Sequence, residues 1–469
     1  STLLMEQKIK ESFFTKDPTF YRTLFPLLIT VALQNIVAYS VNMADNIMLG
    51  SYSQNALSGA ATVNQIFFMV QQITLGIGEG FVVLGAQYWG QGRMQPIRKL
   101  TGIALKLGLI CGIITILICT FIPHLVISIF TNDPEIIAEG VAYLGIIKYT
   151  FLLFIITNVL MAALRCVETV KISFYISIVS LIVNVGINYV LIFGKLGLPA
   201  LGITGAAVAT LLSRVVEFVV AFSYAFRCRT MPLMKHAILR PGMDMLRKFL
   251  RYSAPVLINE TLWGTGFSMI TVIMGHMANS SDLIAAYTLA GNIDKLMTSG
   301  VFGIAAAVSV IVGKEIGTGN LKGVYNIGRA LCFTAFAFGI VLGLAEYTMF
   351  VTLMRPFVMP LFSLSAVAER LCSVMLMCYA CAIPLHSFST TMVVGVLRGG
   401  GDVNASLVID NFPLWCGTLP MMCLLGLVLK VPNEVFCLCL MIEYIIKSPI
   451  GLYRLHSGKW IHDITRIDE

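Results

Sequence analysis

The feature that most constrains this chain is a succession of twelve apolar stretches, near 23–50, 55–84, 100–123, 136–163, 172–194, 201–226, 249–277, 283–311, 325–352, 367–395, 404–429 and 433–453. Each can cross a bilayer as a helix, which takes about 20 mostly apolar residues. In hydrocarbon every backbone N–H and C=O must find its partner within the protein, so such stretches fold as helices. Most loops between them are very short, so neighbouring helices are predicted to pack as antiparallel hairpins. Charged residues make up only 12% of the 469 and hydrophobic ones 57%; a soluble domain carries roughly 25% charge. The expected fold class is an all-α integral membrane protein of twelve transmembrane helices.

A net charge of +8 in a soluble chain would raise nucleic acid as a partner. Here the basic residues lie in short loops beside apolar spans, where they set topology. With the N-terminus inside, 23 of the 32 Lys and Arg fall on one side, among them Arg93, Arg98, Lys99, Arg165, Lys171 and Arg398. The opposite loops carry Lys195, Arg355, Arg370 and Lys430. That asymmetry predicts both termini in the cytoplasm. Residues 1–21 contain no apolar run, so no cleaved signal peptide is expected. The twelve cysteines sit mostly singly in apolar runs, and Cys378 and Cys381 form a CxxC inside a span. Redox pairs belong at exposed helix N-termini, so these read as packing residues.

The longest basic connection runs from about Arg227 to Arg251 and holds Pro232, Pro241 and Gly242. It predicts an N-terminal lobe over 1–231 and a C-terminal lobe over 232–469, with six spans each. The halves look like copies. Gly85 to Gly92 (GAQYWGQG) follows the second span, and Gly313 to Gly319 (GKEIGTG) follows the eighth. Leu164-Arg165 with Val170 follows the fourth, and Leu397-Arg398 with Val403 the tenth. Six spans per half gives the copies one orientation, hence a pseudo-two-fold along the membrane normal.

These motifs, in this order, resemble the multidrug and toxic compound extrusion (MATE) family. Asp45 to Gly50 (DNIMLG) is similar to its segment closing helix one. Gly85 to Gly92, the stretch Asn188 to Thr210, Leu397 to Asp402 (LRGGGD) and Ser457 to Trp460 (SGKW) match its later landmarks. The resemblance implies secondary active export of amphipathic, often cationic compounds, with two lobes rocking about a central cavity and inward H⁺ or Na⁺ as the driving ion. It implies a small-molecule substrate and the lipid bilayer as partners, no nucleic acid, no cofactor beyond the coupling ion, a monomer, and a multi-pass place in the plasma (inner) membrane. A lipid-linked oligosaccharide flippase of the same superfamily is the alternative; twelve spans and Asp45 argue against it. An enzyme is not expected, because the chain holds no zinc, nucleophile-elbow or nucleotide-loop motif.

Ionisable residues inside spans are costly and usually face a cavity or a partner. Asp45 lies 19 residues after Pro26, roughly 28 Å along its helix. Asn184 and Asn188 are four apart, on one helix face. With Thr210 they share a similar depth. In the family an Asp on helix one, an Asn and an Asp on helix five and a Thr on helix six surround the cation; here Asn188 replaces the second Asp, leaving one carboxylate. No basic span residue falls beside Asp45 by depth. Glu260, midway along span seven, resembles a Glu of a second family site, whose partner position here is Ser387. Asp294 could complete that site, or Lys295 could neutralise Glu260. Arg214 and Glu217 are expected to pair locally, Lys148 could line the cavity, and Glu79 and Asp410 are expected to be solvated or capping.

Overall fold

A computed structural model describes residues 18–130, 133–227, 243–361 and 365–465. Among them twelve helices are long and apolar enough to cross a membrane. They are α1 (Pro18–Tyr52), α2 (Gln54–Gly90), α3 (Met94–Phe121), α4 (Pro134–Cys166), α5 (Lys171–Phe193), α6 (Ile203–Arg227), α7 (Met243–Gly275) and α8 (Ser280–Gly317). There follow α9 (Leu321–Phe357), α10 (Ala366–Leu397), α11 (Val403–Val428) and α12 (Asn433–Ser457). The expected boundary at 231/232, with Lys235, lies outside the described residues.

Local chemistry sets the helix ends. Ser53 alone separates α1 from α2 and caps the latter, its hydroxyl accepting from Ala56 N–H at 3.4 Å. Asp133 caps α4 by accepting from Glu135 N–H at 3.0 Å, with Pro134 in the first turn. That proline has no N–H to leave unbonded. Asn320 and Ser365 cap α9 and α10 in the same way. Gly194 and Gly458 end α5 and α12 at φ of 70° and 68°, the left-handed turn that favours glycine.

Cα packing divides the chain into Leu33–Leu257 and a second unit of residues 1–32 with Ile258–Glu469. The cuts fall inside α1 and α7, 225 residues apart, not in the basic connection. Within the first unit α4 packs on α2, α3 and α6, and α5 on α6. Within the second, α10 packs on α8, α9 and α12, and α11 on α12. The same neighbours recur six helices later, as a duplicated chain requires. Glycines make matching close approaches. Gly76 on α2 has no room for a β-carbon against Leu257 of α7, and Gly303 on α8 has none against Ala32 of α1.

The segment after α12 folds back as a strap over the Leu397–Asp402 loop. Trp460 is fully buried, and its indole N–H donates to the Leu455 carbonyl at 2.9 Å. His462 N–H donates to the Gly400 carbonyl at 3.0 Å. Arg454 clasps Asp402 through two hydrogen bonds of 2.7 and 3.0 Å, and His462 stands 3.8 Å away. Burial alone would raise the Asp402 carboxyl, but the nearby His462 ring and the two hydrogen bonds and charge of Arg454 hold it below the usual 3.8. The described cysteines are all free thiols, Cys378 buried and Cys381 exposed.

Candidate functional site

In the unit Leu33–Leu257, five helices bring polar side chains to one cavity. Asp45 comes from α1, Asn64 from α2, Tyr143 and Thr150 from α4, Asn184 from α5, and Thr210 and Arg214 from α6. Asn188 closes the floor: its amide N–H group donates to Asp45 Oδ1 and, at 2.9 Å, to Asn184 Oδ1. Both asparagines are buried, at 1% and 0% exposure. The helical spacing of four stacks them, and two oxygen acceptors fix the amide with its nitrogen inward. The Thr210 hydroxyl donates to the Ala206 carbonyl at 3.0 Å, which leaves its oxygen to accept within the cavity. The structure thus brings Asp45, Asn184, Asn188 and Thr210 together, as the depth reading anticipated. The space open to a water-sized sphere is about 30 Å³. That holds a water or a small cation, and falls far below the ~300 Å³ of a drug-sized pocket.

One neighbour differs from expectation. Arg214 lines the same cavity as Asp45. Depth along α6 suggested no such contact, because position around the helix axis, not depth, decides it. Its guanidinium donates to Glu217 at 2.9 Å, as i,i+3 spacing predicts. It also lies 4.9 Å from the Phe154 ring centre and 5.8 Å from that of Phe67. Lys148 stacks over the exposed Tyr149 ring at 5.1 Å. Glu79 is not solvated, since it pairs with Arg165 at 2.5 Å and is buried.

In the second unit the candidates are rearranged. Glu260 pairs with Arg398 at 3.0 Å. Arg398 is 1% exposed and enters from the helical end of α10. With the Asn259 amide turned to suit its neighbours, its oxygen accepts from Arg398 at 2.7 Å and its N–H donates to Asp410 at 2.9 Å. Lys447 on α12 then bridges Asp410 and Glu443, each at 2.8 Å. The Trp263 indole N–H donates to Glu443 at 3.1 Å. Asp410, expected near solvent, is therefore a buried member of a charged chain. Asp294 faces Glu346 of α9. Lys295, beside Asp294 in the chain, points to an exposed position.

Two residues of this region escaped the sequence reading. Glu346 is fully buried in an apolar run, and an acid in such a run is itself the flag. Arg398 was read only as a motif and a topology charge.

The MatE family model matches residues 30–190 and again 255–415. The two matches start 225 residues apart, the interval that separates the packing cuts in α1 and α7. A probable multidrug resistance protein NorM of Thermotoga maritima is 25% identical over 464 residues, 97% of each chain. A probable multidrug resistance protein YoeA of Bacillus subtilis is 26% identical, covering 89% of this chain and 88% of its own. Among solved structures, a mutant of the Vibrio cholerae MATE transporter VcmN superposes with a TM-score of 0.84 at 15% identity, over 94% of this chain and 98% of that one. At that identity the likeness is one of fold.

Proposed function

This chain belongs to the MatE family, and from that premise we propose that it is a multidrug efflux transporter of the plasma membrane that exports amphipathic, cationic compounds in exchange for an inward cation. The observation that carries the coupling reading is the cavity around Asp45. A single carboxylate sits there with Asn188 as its donor and Asn184 and Thr210 beside it. Its size suits an ion, not a drug. A cation that neutralises Asp45 removes the charge to which Asn188 donates, so occupancy changes how α1 is held against α5. If the two access states bind the cation with different affinity, that difference drives the cycle. Each pH unit of gradient supplies about 1.4 kcal/mol per proton. The basic loops support both termini in the cytoplasm, and the transporter is read as a monomer.

The test is dye efflux from proteoliposomes under separate pH and Na⁺ gradients. Asp45→Asn is expected to abolish gradient-driven efflux while sparing equilibrium binding of substrate. Wild-type rates in that variant under both gradients would remove Asp45 from the mechanism and make Glu260 the leading candidate.

A further inference from the structure

The second unit carries a groove of a different character, bounded by α9, α10 and the first turns of α12. It has about 670 Å³ of space, within the ~300–1,000 Å³ of sites for small organic molecules. Its wall is sorted along its length. At one end stand Arg355, Glu369 and Arg370, all exposed. The rest is mostly apolar, with Val351, Val374 and Met377 leading to Cys381. Cys381 lies 11 residues past Arg370, roughly 16 Å along α10. One leaflet's share of a ~30 Å hydrocarbon core is about 15 Å. The groove is thus as long as one leaflet is deep, with its charges where headgroups lie. Arg355 and Arg370 belong to the side opposite the basic loops, so that leaflet is the outer one.

Two features suit the charged end to a phosphate. Guanidinium groups present paired N–H donors that match phosphate oxygens, and two of them are here. Ala366, the first residue of α10, lines the groove as well. A helix N-terminus favours an anion through its unpaired N–H groups and its dipole. Glu369 adds the opposite sign. Arg370 stands 3.4 Å from Glu434, with 75% and 38% of the two side chains exposed; a pair so exposed is weak and leaves the guanidinium donors to share. Together two arginines meet two glutamates, so this end carries both signs in balance. A headgroup that also carries both signs complements it, and a simple anion does not. The tails decide little, because a chain leaving the bilayer for an apolar groove trades one hydrocarbon contact for another. Selection falls to the headgroup.

We propose that this groove is a site for an outer-leaflet phospholipid with a primary ammonium in its headgroup, of the phosphatidylethanolamine type. Arg355 and Arg370 hold the phosphate, Glu369 accepts from the ammonium, and one acyl chain lies along Val374, Met377 and Cys381. Phosphatidylcholine carries the same charges, but its quaternary ammonium has no N–H to donate. Phosphatidylglycerol keeps the phosphate and lacks the ammonium.

The full chain in detergent micelles supplies its own probe. Cys381 is exposed within the groove, and Cys416, exposed on α11, serves as the control. Maleimide labelling of each is followed by peptide mass spectrometry as one lipid at a time is added. Phosphatidylethanolamine is expected to slow labelling of Cys381 but not of Cys416. It should do so at about one tenth of the concentration that phosphatidylcholine needs, the lower end of what a hydrogen bond to a charged group contributes. Glu369→Gln is expected to bring the two lipids level, and Arg355→Gln with Arg370→Gln to remove protection by both. The three side chains are exposed, so the variants should keep the fold, which thermal unfolding checks. Equal protection by phosphatidylethanolamine and phosphatidylcholine in the wild type overturns the proposal. So does stronger protection by phosphatidylglycerol, which would mark an anionic-lipid site, or protection by a plain fatty alcohol at the same concentration, which would mark a groove that takes any chain. A folded Glu369→Gln variant that still prefers phosphatidylethanolamine overturns it as well.

Discussion

Replacing Lys447 by Met tests how the second unit holds its buried charge. Lys447 is 2% exposed and bonded to two carboxylates, both at 2.8 Å. Asp410 and Glu443 are buried as well. Met matches the length of the side chain but leaves two carboxylates without their shared cation. Breaking a buried pair from one side costs about 3–5 kcal/mol, because the remaining charge is uncompensated. At ~2–4 °C per kcal/mol for a domain of this unit's size, the midpoint of thermal unfolding in detergent should fall by about 6–20 °C. Trp263, hydrogen-bonded to Glu443, reports the event by its fluorescence. Adding Asp410→Asn and Glu443→Gln to Lys447→Met should recover most of the loss, since removing a buried network whole is often close to neutral. A drop under ~2 °C in the single variant, or no recovery in the triple one, would refute the assignment of these charges to one mutually neutralising chain.

The same logic applies to Glu260→Gln, which leaves Arg398 without its carboxylate. Thermal stability should fall by about 3–5 kcal/mol and return when Arg398→Gln is added, with dye efflux per folded molecule unchanged; lost efflux at full stability would make Glu260 a transport residue. Gly400→Ala drives a β-carbon into the Trp460 ring and backbone, so the strap should loosen by about 1–3 kcal/mol, read as faster proteolysis after α12. Because the folded Asp402 carboxyl lies below its ordinary 3.8, its clasp on Arg454 and His462 is present above that value and is lost as pH falls through the lowered one. Asp402→Asn should therefore speed strap proteolysis near neutral pH and converge with wild type in strong acid, using an acid-active protease.

The twelve spans and the repeat were legible because they are written in long runs and spacings that survive any detail of packing. The Asp45 cluster was legible for a narrower reason. Asn184 and Asn188 share a face by helical period, and depth aligns them with Asp45 and Thr210. Arg214 was misjudged because depth says nothing about rotation, and four residues beyond Thr210 returns the chain to the same face of α6. The Glu260–Arg398 pair was not legible for a different reason. Arg398 reaches Glu260 from the end of α10, and no periodicity connects two helices so far apart in sequence. The repeat could have warned of it, since Arg165 and Arg398 stand at matching places and Arg165 also ends on a buried acid, Glu79.

The charged chain of the second unit has a consequence for how the protein is made. Ribosomal synthesis delivers its acids before their bases. Glu260 enters with α7 and Arg398 only after α10; Asp410 enters with α11 and Lys447 only with α12. Until each base emerges, a carboxyl bound for a dry position lacks the base it ends on and must be protonated or stay near water, because an ionised one costs several kcal/mol inside the bilayer. The ion pairs of this unit are thus complete only once α12 is in place. A nascent chain stalled before Lys447 would carry an unmatched acid in α11, the kind of mark by which an unfinished membrane protein differs from a finished one.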